Sequence, residues 1–199
     1  MANDTRTRML DAAEDLLQDR GYHGLALAEL LERSSAPRGS LYFHFPDGKD
    51  QLVAAATRDG VERVTESLRE ALAEARSPGR AIRTILETSA AALAQHDFHF
   101  GSPTAPVVLD GLDSAPIADL TRHAYETWIG LFEAALLAAG VPPRRAAPLA
   151  LLVEASFEGL LIISRANRDT APMLAGAKEL ESIIEAAVAE QPKRRGKKS

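Results

Sequence analysis

The chain has 199 residues, 46% of them hydrophobic and 26% charged, which is enough apolar material for a sizeable core and too much for a disordered chain. A net charge of −5 excludes a protein that coats nucleic acid through bulk positive charge, and the absence of cysteine excludes disulfides, thiolate nucleophiles and Cys-ligated metals. Abundant Ala and Leu with only 5% aromatics favour helices over sheets.

The first helix is predicted over about Thr5 to Arg20, where Met9, Leu10, Ala13, Leu16 and Leu17 recur at helical spacing. Asp4 suits its N-cap, and Gly21 the left-handed position past its end. A short helix follows over about Leu27 to Arg33, with Leu27, Leu30 and Leu31 on one side. Ser34-Ser35-Ala36-Pro37 breaks the pattern, and Pro37 suits the first position of a third helix that reaches about Phe43 and ends before Pro46. A long fourth helix is expected after Asp47, with Asp47 as cap and Asp50 in the first turn. Val53, Ala56, Gly60, Val64, Leu68, Leu72 and Ala75 mark its buried stripe. Ser77-Pro78 stops it and starts a fifth helix that runs to about Gln95.

Residues 96–113 contain Gly101, Pro103, Pro106 and Gly111, so a short or broken helix between loops is expected there. A helix from about Ser114 to Ala139 carries Ile117, Leu120, Ala124, Trp128, Leu131, Phe132 and Leu136 on its apolar side, and Gly140 with Pro142-Pro143 ends it. The next, about Arg144 to Asn167, is apolar nearly all round, which points to a core face plus a subunit interface. Its most apolar run, Leu149 to Ile163, is shorter than a membrane span and contains Glu154 and Glu158. Since Met1 to Leu10 is polar and charged, a cytoplasmic protein with no membrane attachment is expected. A last helix is predicted over about Ala171 to Ala189, and the basic stretch Lys193 to Ser199 reads as a disordered tail. With no strand-like alternation, the fold class is all-α.

The segment Ala26 to Leu52 carries the chemistry. Two short helices joined by a tight turn, then a further helix, form the helix-turn-helix pattern, whose second helix enters the major groove. Residues 1–50 hold six basic side chains against nine acidic ones, so any DNA contact must come from a small, oriented surface. On the second helix Arg38 can reach guanine O6/N7 or a phosphate, and Gly39 and Ser40 let the backbone come close. Tyr42 and His44 can donate to phosphate oxygens, and Lys49 with the free N–H groups at the next helix start makes a phosphate clamp. The expected DNA-binding set is Pro37, Arg38, Ser40, Tyr42, Phe43, His44 and Lys49. Phe45 reads as a core aromatic; Tyr42 divides between a ring on the core and a hydroxyl toward phosphate.

Other polar groupings are weaker. His96, Asp97 and His99 read as a surface loop, because no further ligands stand at metal-site spacing, and no metal or cofactor is expected. Glu154 and Glu158, four apart on one helix face, leave two readings open: paired acids of a small helical enzyme, or one acid meeting an Arg across an interface while the other sees solvent or ligand. Ser102 lacks the surroundings of a catalytic nucleophile.

The stretch from Arg38 through Pro46, with Lys49 and Leu52, resembles the DNA-binding signature of TetR-family regulators. Ala36 to Tyr42 resembles more narrowly the LmrA/YxaF-like branch, as do Gly101-Ser102-Pro103, Trp128, Glu158-Gly159 and Ser164 to Asp169. The resemblance implies about nine helices: three for DNA, a fourth that links, and the rest forming a sensor whose last two helices build a four-helix bundle in a homodimer. It implies domains at 1–47 (DNA binding) and 48–190 (effector binding and dimerisation), with the basic tail at 191–199. The implied function is a repressor that binds an inverted-repeat operator as a dimer and is released by a small hydrophobic effector. A helix-turn-helix protein with no effector is the alternative. Phe98, Phe100, Val107, Tyr125, Trp128, Phe132, Phe157, Leu160 and Leu161 lie on segments expected to surround the sensor core and are the candidate effector contacts. Two departures stand out: Leu25 and Ala26 replace the family's capping Thr or Ser, and Ser35 stands where the turn usually has Gly.

Overall fold

A computed structural model describes residues 2–99, 101–110 and 114–190. Among them the chain forms nine helices and no strand: α1 (Ala2–Gly24), α2 (Leu27–Arg33), α3 (Ser40–His44), α4 (Lys49–Glu74), α5 (Pro78–Gln95), α6 (Ala105–Leu109), α7 (Ala115–Ala138), α8 (Pro143–Asn167) and α9 (Ala171–Ala189). Of the described residues, those up to 66 together with those at 95–126 make one compact unit, and those at 67–94 together with those at 127–190 make a second. Helices α4 and α7 contribute residues to both.

The expected apolar stripe of α1 becomes the floor of the first unit. Met9, Leu10, Ala13, Leu16 and Leu17 share one cluster with Leu25, Leu30, Leu41, Phe45, Leu52, Val53 and Ala56. Each buried Leu or Phe contributes roughly 1.5–3 kcal/mol, so this cluster supplies most of the cohesion between the short helices, which cannot stand alone. Val107 of α6 and Ile117 of α7 complete it.

The ends of the elements show which local forces won. Gly21 takes φ 70°, as its place past the predicted helix requires, but one more turn follows through Gly24. Ala26 opens α2 with no side-chain cap, as the missing Thr or Ser implies. At the far end Ser34 Oγ donates to Leu30 O (2.7 Å), and Arg8 Nε donates to Ser34 O (2.9 Å). Ser35 is held at φ 51°, the left-handed region that favours glycine.

Pro37 does not start α3. Its carbonyl accepts from Ser40 N (2.9 Å) and Ser40 Oγ (2.6 Å), so Pro37 to Gly39 make a turn and the helix begins at Ser40. Asp47 does not cap α4 with its side chain either. Gly48, at φ 73°, supplies the first helical carbonyl to Leu52 N, and Gln51 Oε1 reaches back to Asp47 N (3.1 Å).

The second unit is built on α5, α8, α9 and the later turns of α7. Ser77 Oγ accepts from Arg80 N, the expected cap of α5. Gly79 lies against Glu181 and Glu185, and Gly176 against Leu160, so small residues let α9 approach α5 and α8 closely. Arg83 bonds Glu87 (2.7 Å) on its own helix and Glu181 (2.8 Å) on α9. As formed, α8 is 25 residues and passes for a membrane span by length and composition, which its shorter apolar run does not suggest. One face, from Ala146 through Val153 to Leu161, is buried; Leu151, Leu152, Ile162 and Ile163 on the other are exposed, as are Leu174 and Ile183 on α9.

Candidate nucleic-acid interface

Leu41 and Phe45, one turn apart, are 2% and 1% exposed and pin α3 to the core. The periodicity that buries them turns Tyr42 (62% exposed) and Phe43 (75% exposed) outward. Two large aromatics displayed side by side to water make this face a candidate recognition surface. Arg38 and Gly39 are exposed in the turn before α3, and nothing lies within 4 Å of where a Gly39 side chain would stand. That open backbone permits close approach to a duplex.

The structure brings the expected set together with local changes of role. Pro37 is exposed and orders the turn. Ser40 commits its hydroxyl proton to Pro37, so it offers DNA small size and lone pairs. Tyr42 does not lay its ring on the core: it stands out beside Gly48, whose added Cβ would lie 3.8 Å from Tyr42 Cε1. His44 is half-buried and packs edge-on to Phe43 (5.0 Å between centroids). Lys49, the first residue of α4, holds its ammonium 4.5 Å over the Tyr22 ring, while the Tyr22 hydroxyl donates to Asp50. Partial burial holds the Lys49 pKa below its ordinary value against the opposing pull of Asp50 and Asp110.

Arg6 was not legible as a site residue. It is exposed on α1, and its guanidinium lies 5.6 Å from the Phe45 ring at the end of α3. Nothing in a sequence places the start of the first helix beside the end of the third; only the packed core does.

An acidic cleft in the same unit is unsuited to phosphate. Asp11, Glu14, Asp15 and Asp19 of α1 line a cleft of about 580 Å³ with Gln18, Arg33, Arg63, His96 and His99. Arg63 is paired with Glu14, and His99 Nδ1 lies 2.8 Å from Asp19 Oδ1. Among the described residues no group of His, Asp and Glu is placed to hold a metal ion. Both flanks of α6 are fastened to α1: before it Gly101 N donates to Gln18 Oε1 (3.1 Å), and after it Asp110 accepts from His23 N at Oδ2 (3.1 Å) and from His23 Nε2 at its backbone O (2.8 Å).

The candidate effector contacts fall in both units. Phe98, Val107 and Tyr125 belong to the first, where Val107 joins the core under α3 and the Tyr125 hydroxyl accepts from Thr104 Oγ1 (3.0 Å). Trp128, Phe132 and Leu161 are buried in the second, with Phe157 and Leu160 half-buried. Phe100 and the basic tail lie outside the described residues.

An outward-facing short helix on a three-helix core, entered through a tight turn, defines a helix-turn-helix DNA-binding protein. The chain belongs to the TetR family of transcriptional regulators: residues 9–56 match the bacterial regulatory proteins of the tetR family, and residues 78–179 match the C-terminal domain of LmrA/YxaF-like transcriptional regulators. It is 30% identical over 195 residues to an uncharacterized HTH-type transcriptional regulator of Mycobacterium tuberculosis, covering 95% of this chain and 97% of that one. It is 29% identical over 172 residues to the HTH-type transcriptional regulator LmrA of Bacillus subtilis, covering 86% and 92%. The fold matches that of the TetR-family regulator CifR, solved with a 26-bp double-strand operator DNA, at TM-score 0.74 and 23% identity over 94% of this chain and 96% of that one. These relatives are regulators, not enzymes, so the hydrolase reading of Glu154 and Glu158 is set aside.

Proposed function

We propose that this regulator is a cytoplasmic repressor that binds an inverted-repeat operator as a homodimer and is released by a small hydrophobic effector. The observation that carries the reading is the outward display of Arg38, Tyr42 and Phe43 over the anchors Leu41 and Phe45. Arg38 reads a guanine edge, Tyr42 and Lys49 hold phosphates, and Phe43 supplies an apolar contact of the kind a thymine methyl accepts. Arg6 adds a phosphate contact beside the end of α3.

The dimer is supported by the apolar face of α8 and α9, where Leu151, Leu152, Ile162, Ile163, Leu174 and Ile183 are exposed. Covering that face with its twofold copy removes it from water. Two recognition helices then meet successive major grooves about 34 Å apart. An effector that prefers a conformation with a different spacing weakens operator binding, and by linkage the operator weakens effector binding equally. The DNA-binding part is assigned to 1–47 and the effector and dimer part to 48–190, with α4 as the connecting lever.

The test is a mobility shift of the full chain on the intergenic DNA upstream of its own gene, with sedimentation for the dimer, repeated across a library of aromatic compounds. Specific, dimer-dependent binding that some compounds reverse is the expected result. A chain that binds no upstream DNA above random sequence overturns the reading.

A further inference from the structure

The carboxyl of Asp110 gives no support to the helix it follows. An acid past the carboxyl end of a helix opposes the helix dipole, and α6 uses only the Asp110 backbone N–H, which donates to Pro106 O (3.2 Å). The carboxyl turns instead to the last turn of α1. Oδ2 accepts from His23 N (3.1 Å) and the backbone O accepts from His23 Nε2 (2.8 Å), so His23 is gripped at its backbone and at its ring. A carbonyl can only accept, so Nε2 carries a proton. The fit is close: Gly21 stands at φ 70°, and a side chain there would overlap the Asp110 carboxyl. From His23 the contacts lead on. Its ring meets the Tyr22 ring edge-on (5.3 Å between centroids), and the Lys49 ammonium stands 4.5 Å over that Tyr22 ring. Asp110 is also near enough to act on Lys49 directly: burial lowers the Lys49 pKa, and Asp50 and then Asp110 oppose it. All these residues belong to the first unit.

We propose that Asp110 is a positioning residue for DNA binding: by gripping His23 it fixes the Tyr22 ring on which the Lys49 ammonium is held ready for a phosphate. The inference rests on the reading of Lys49 as a phosphate contact and adds the residue that sets it in place. Asp110 acts through His23 and Tyr22 and does not itself meet the duplex. Its negative charge would repel a phosphate, so what it contributes is order. Without the grip, the turn of α1 past Gly21 frays, the ring leaves its place, and Lys49 loses more freedom on meeting the phosphate. Fastening α6 is not the reason for the contact, because Val107 already seats α6 in the core.

The probes are the intergenic duplex upstream of the gene and a random-sequence duplex at low salt. A phosphate contact carries no sequence information, so the same pattern is expected on both. Affinities are measured over a range of salt for the full-length wild type, Asp110→Ala, Asp110→Asn, Lys49→Ala and the double variant Asp110→Ala/Lys49→Ala. Asp110→Ala loses the carboxyl acceptor and is expected to bind about three- to tenfold more weakly, with a smaller salt slope. Asp110→Asn keeps an oxygen for His23 N and is expected to stay within about twofold of wild type. In the Lys49→Ala background, Asp110→Ala is expected to cost less than about twofold, because the group it positions is gone. An equal loss in both backgrounds is a merely structural one and overturns the proposal. So does Asp110→Asn falling as far as Asp110→Ala. If Lys49→Ala weakens binding while Asp110→Ala does not, the phosphate contact stands and the positioning role alone falls. If Lys49→Ala leaves both affinities unchanged, or the wild type binds neither duplex, the contact falls and the positioning role with it.

Discussion

The Lys49 ammonium sits 4.5 Å above the ring of Tyr22, so the first residue of α4 is tied to the last turn of α1 before any DNA arrives. A cation held in place loses less freedom on meeting a phosphate than a free lysine does. Lys49→Ala is expected to weaken operator binding and lower the salt slope by about one unit. Tyr22→Phe keeps the ring and most of the affinity; Tyr22→Ala loses a stabilisation of about 0.5–1 kcal/mol and part of the binding. Salt-dependent mobility shifts check this, and equal behaviour of Tyr22→Phe and Tyr22→Ala would remove the stacking role.

Neighbouring residues of α3 should separate binding from folding. Tyr42→Ala and Phe43→Ala remove exposed side chains, so unfolding free energies should stay within about 0.5 kcal/mol of wild type while operator affinity drops. Phe45→Ala empties a buried site and should cost about 3–5 kcal/mol. Urea melts beside DNA titrations read both effects. Substituting Arg38 should change which base is preferred in the half-site, and a uniform loss over all sequences would reduce it to a phosphate contact.

Ser35 occupies a left-handed turn at φ 51°. Ser35→Gly relieves a strain of about 1–2 kcal/mol, offset partly by the entropy glycine brings to the unfolded chain. A net gain approaching 1 kcal/mol in a thermal or urea melt is expected, with operator affinity unchanged. A loss of stability would show that the serine is held there by something other than the turn.

On α8, adjacent positions have opposite surroundings. Leu161 is 3% exposed and Ile162 is 53% exposed. Leu161→Asp should unfold the second unit, whereas Ile162→Asp should yield a folded chain that sediments as a monomer and loses operator affinity. A dimeric Ile162→Asp would move the subunit interface elsewhere.

Glu154 also sets a pH dependence. Its pKa rises from 4.5 to about 8 on folding, so between those values the folded chain holds more protons than the unfolded one. Stability is therefore full below about pH 4.5, falls as pH rises, and levels off above about pH 8. Glu154→Gln should match wild type in acid and exceed it above pH 8 by a margin on the order of a few kcal/mol. Urea midpoints across this range test it, and parallel curves would place the titration on another group.

The site was legible where chemistry is local. The run from Arg38 to Lys49 holds every group proposed to touch DNA except Arg6, because a helix-turn-helix is specified within one short segment. The left-handed turn at Ser35 and the uncapped start of α2 at Ala26 follow from single residue types. Boundaries set by competing bonds were less legible. Pro37 offers its carbonyl to Ser40 and stays outside the helix, and Gly48 displaces Asp47 as the start of α4.

By itself the sequence determined that the chain is helical, that its breaks fall where Gly, Pro and Ser interrupt an apolar period, and that Ala26 to Leu52 has the helix-turn-helix pattern. These depend on backbone preference and periodicity, which act over a few residues. Tertiary structure alone decided that Arg6 comes to lie beside Phe45, that Val107 joins the core beneath the recognition helix, and that Glu154 is buried while Leu151 and Ile162 are not. Those facts come from which apolar faces meet across distant stretches of chain, and packing between remote residues leaves no periodic mark along it.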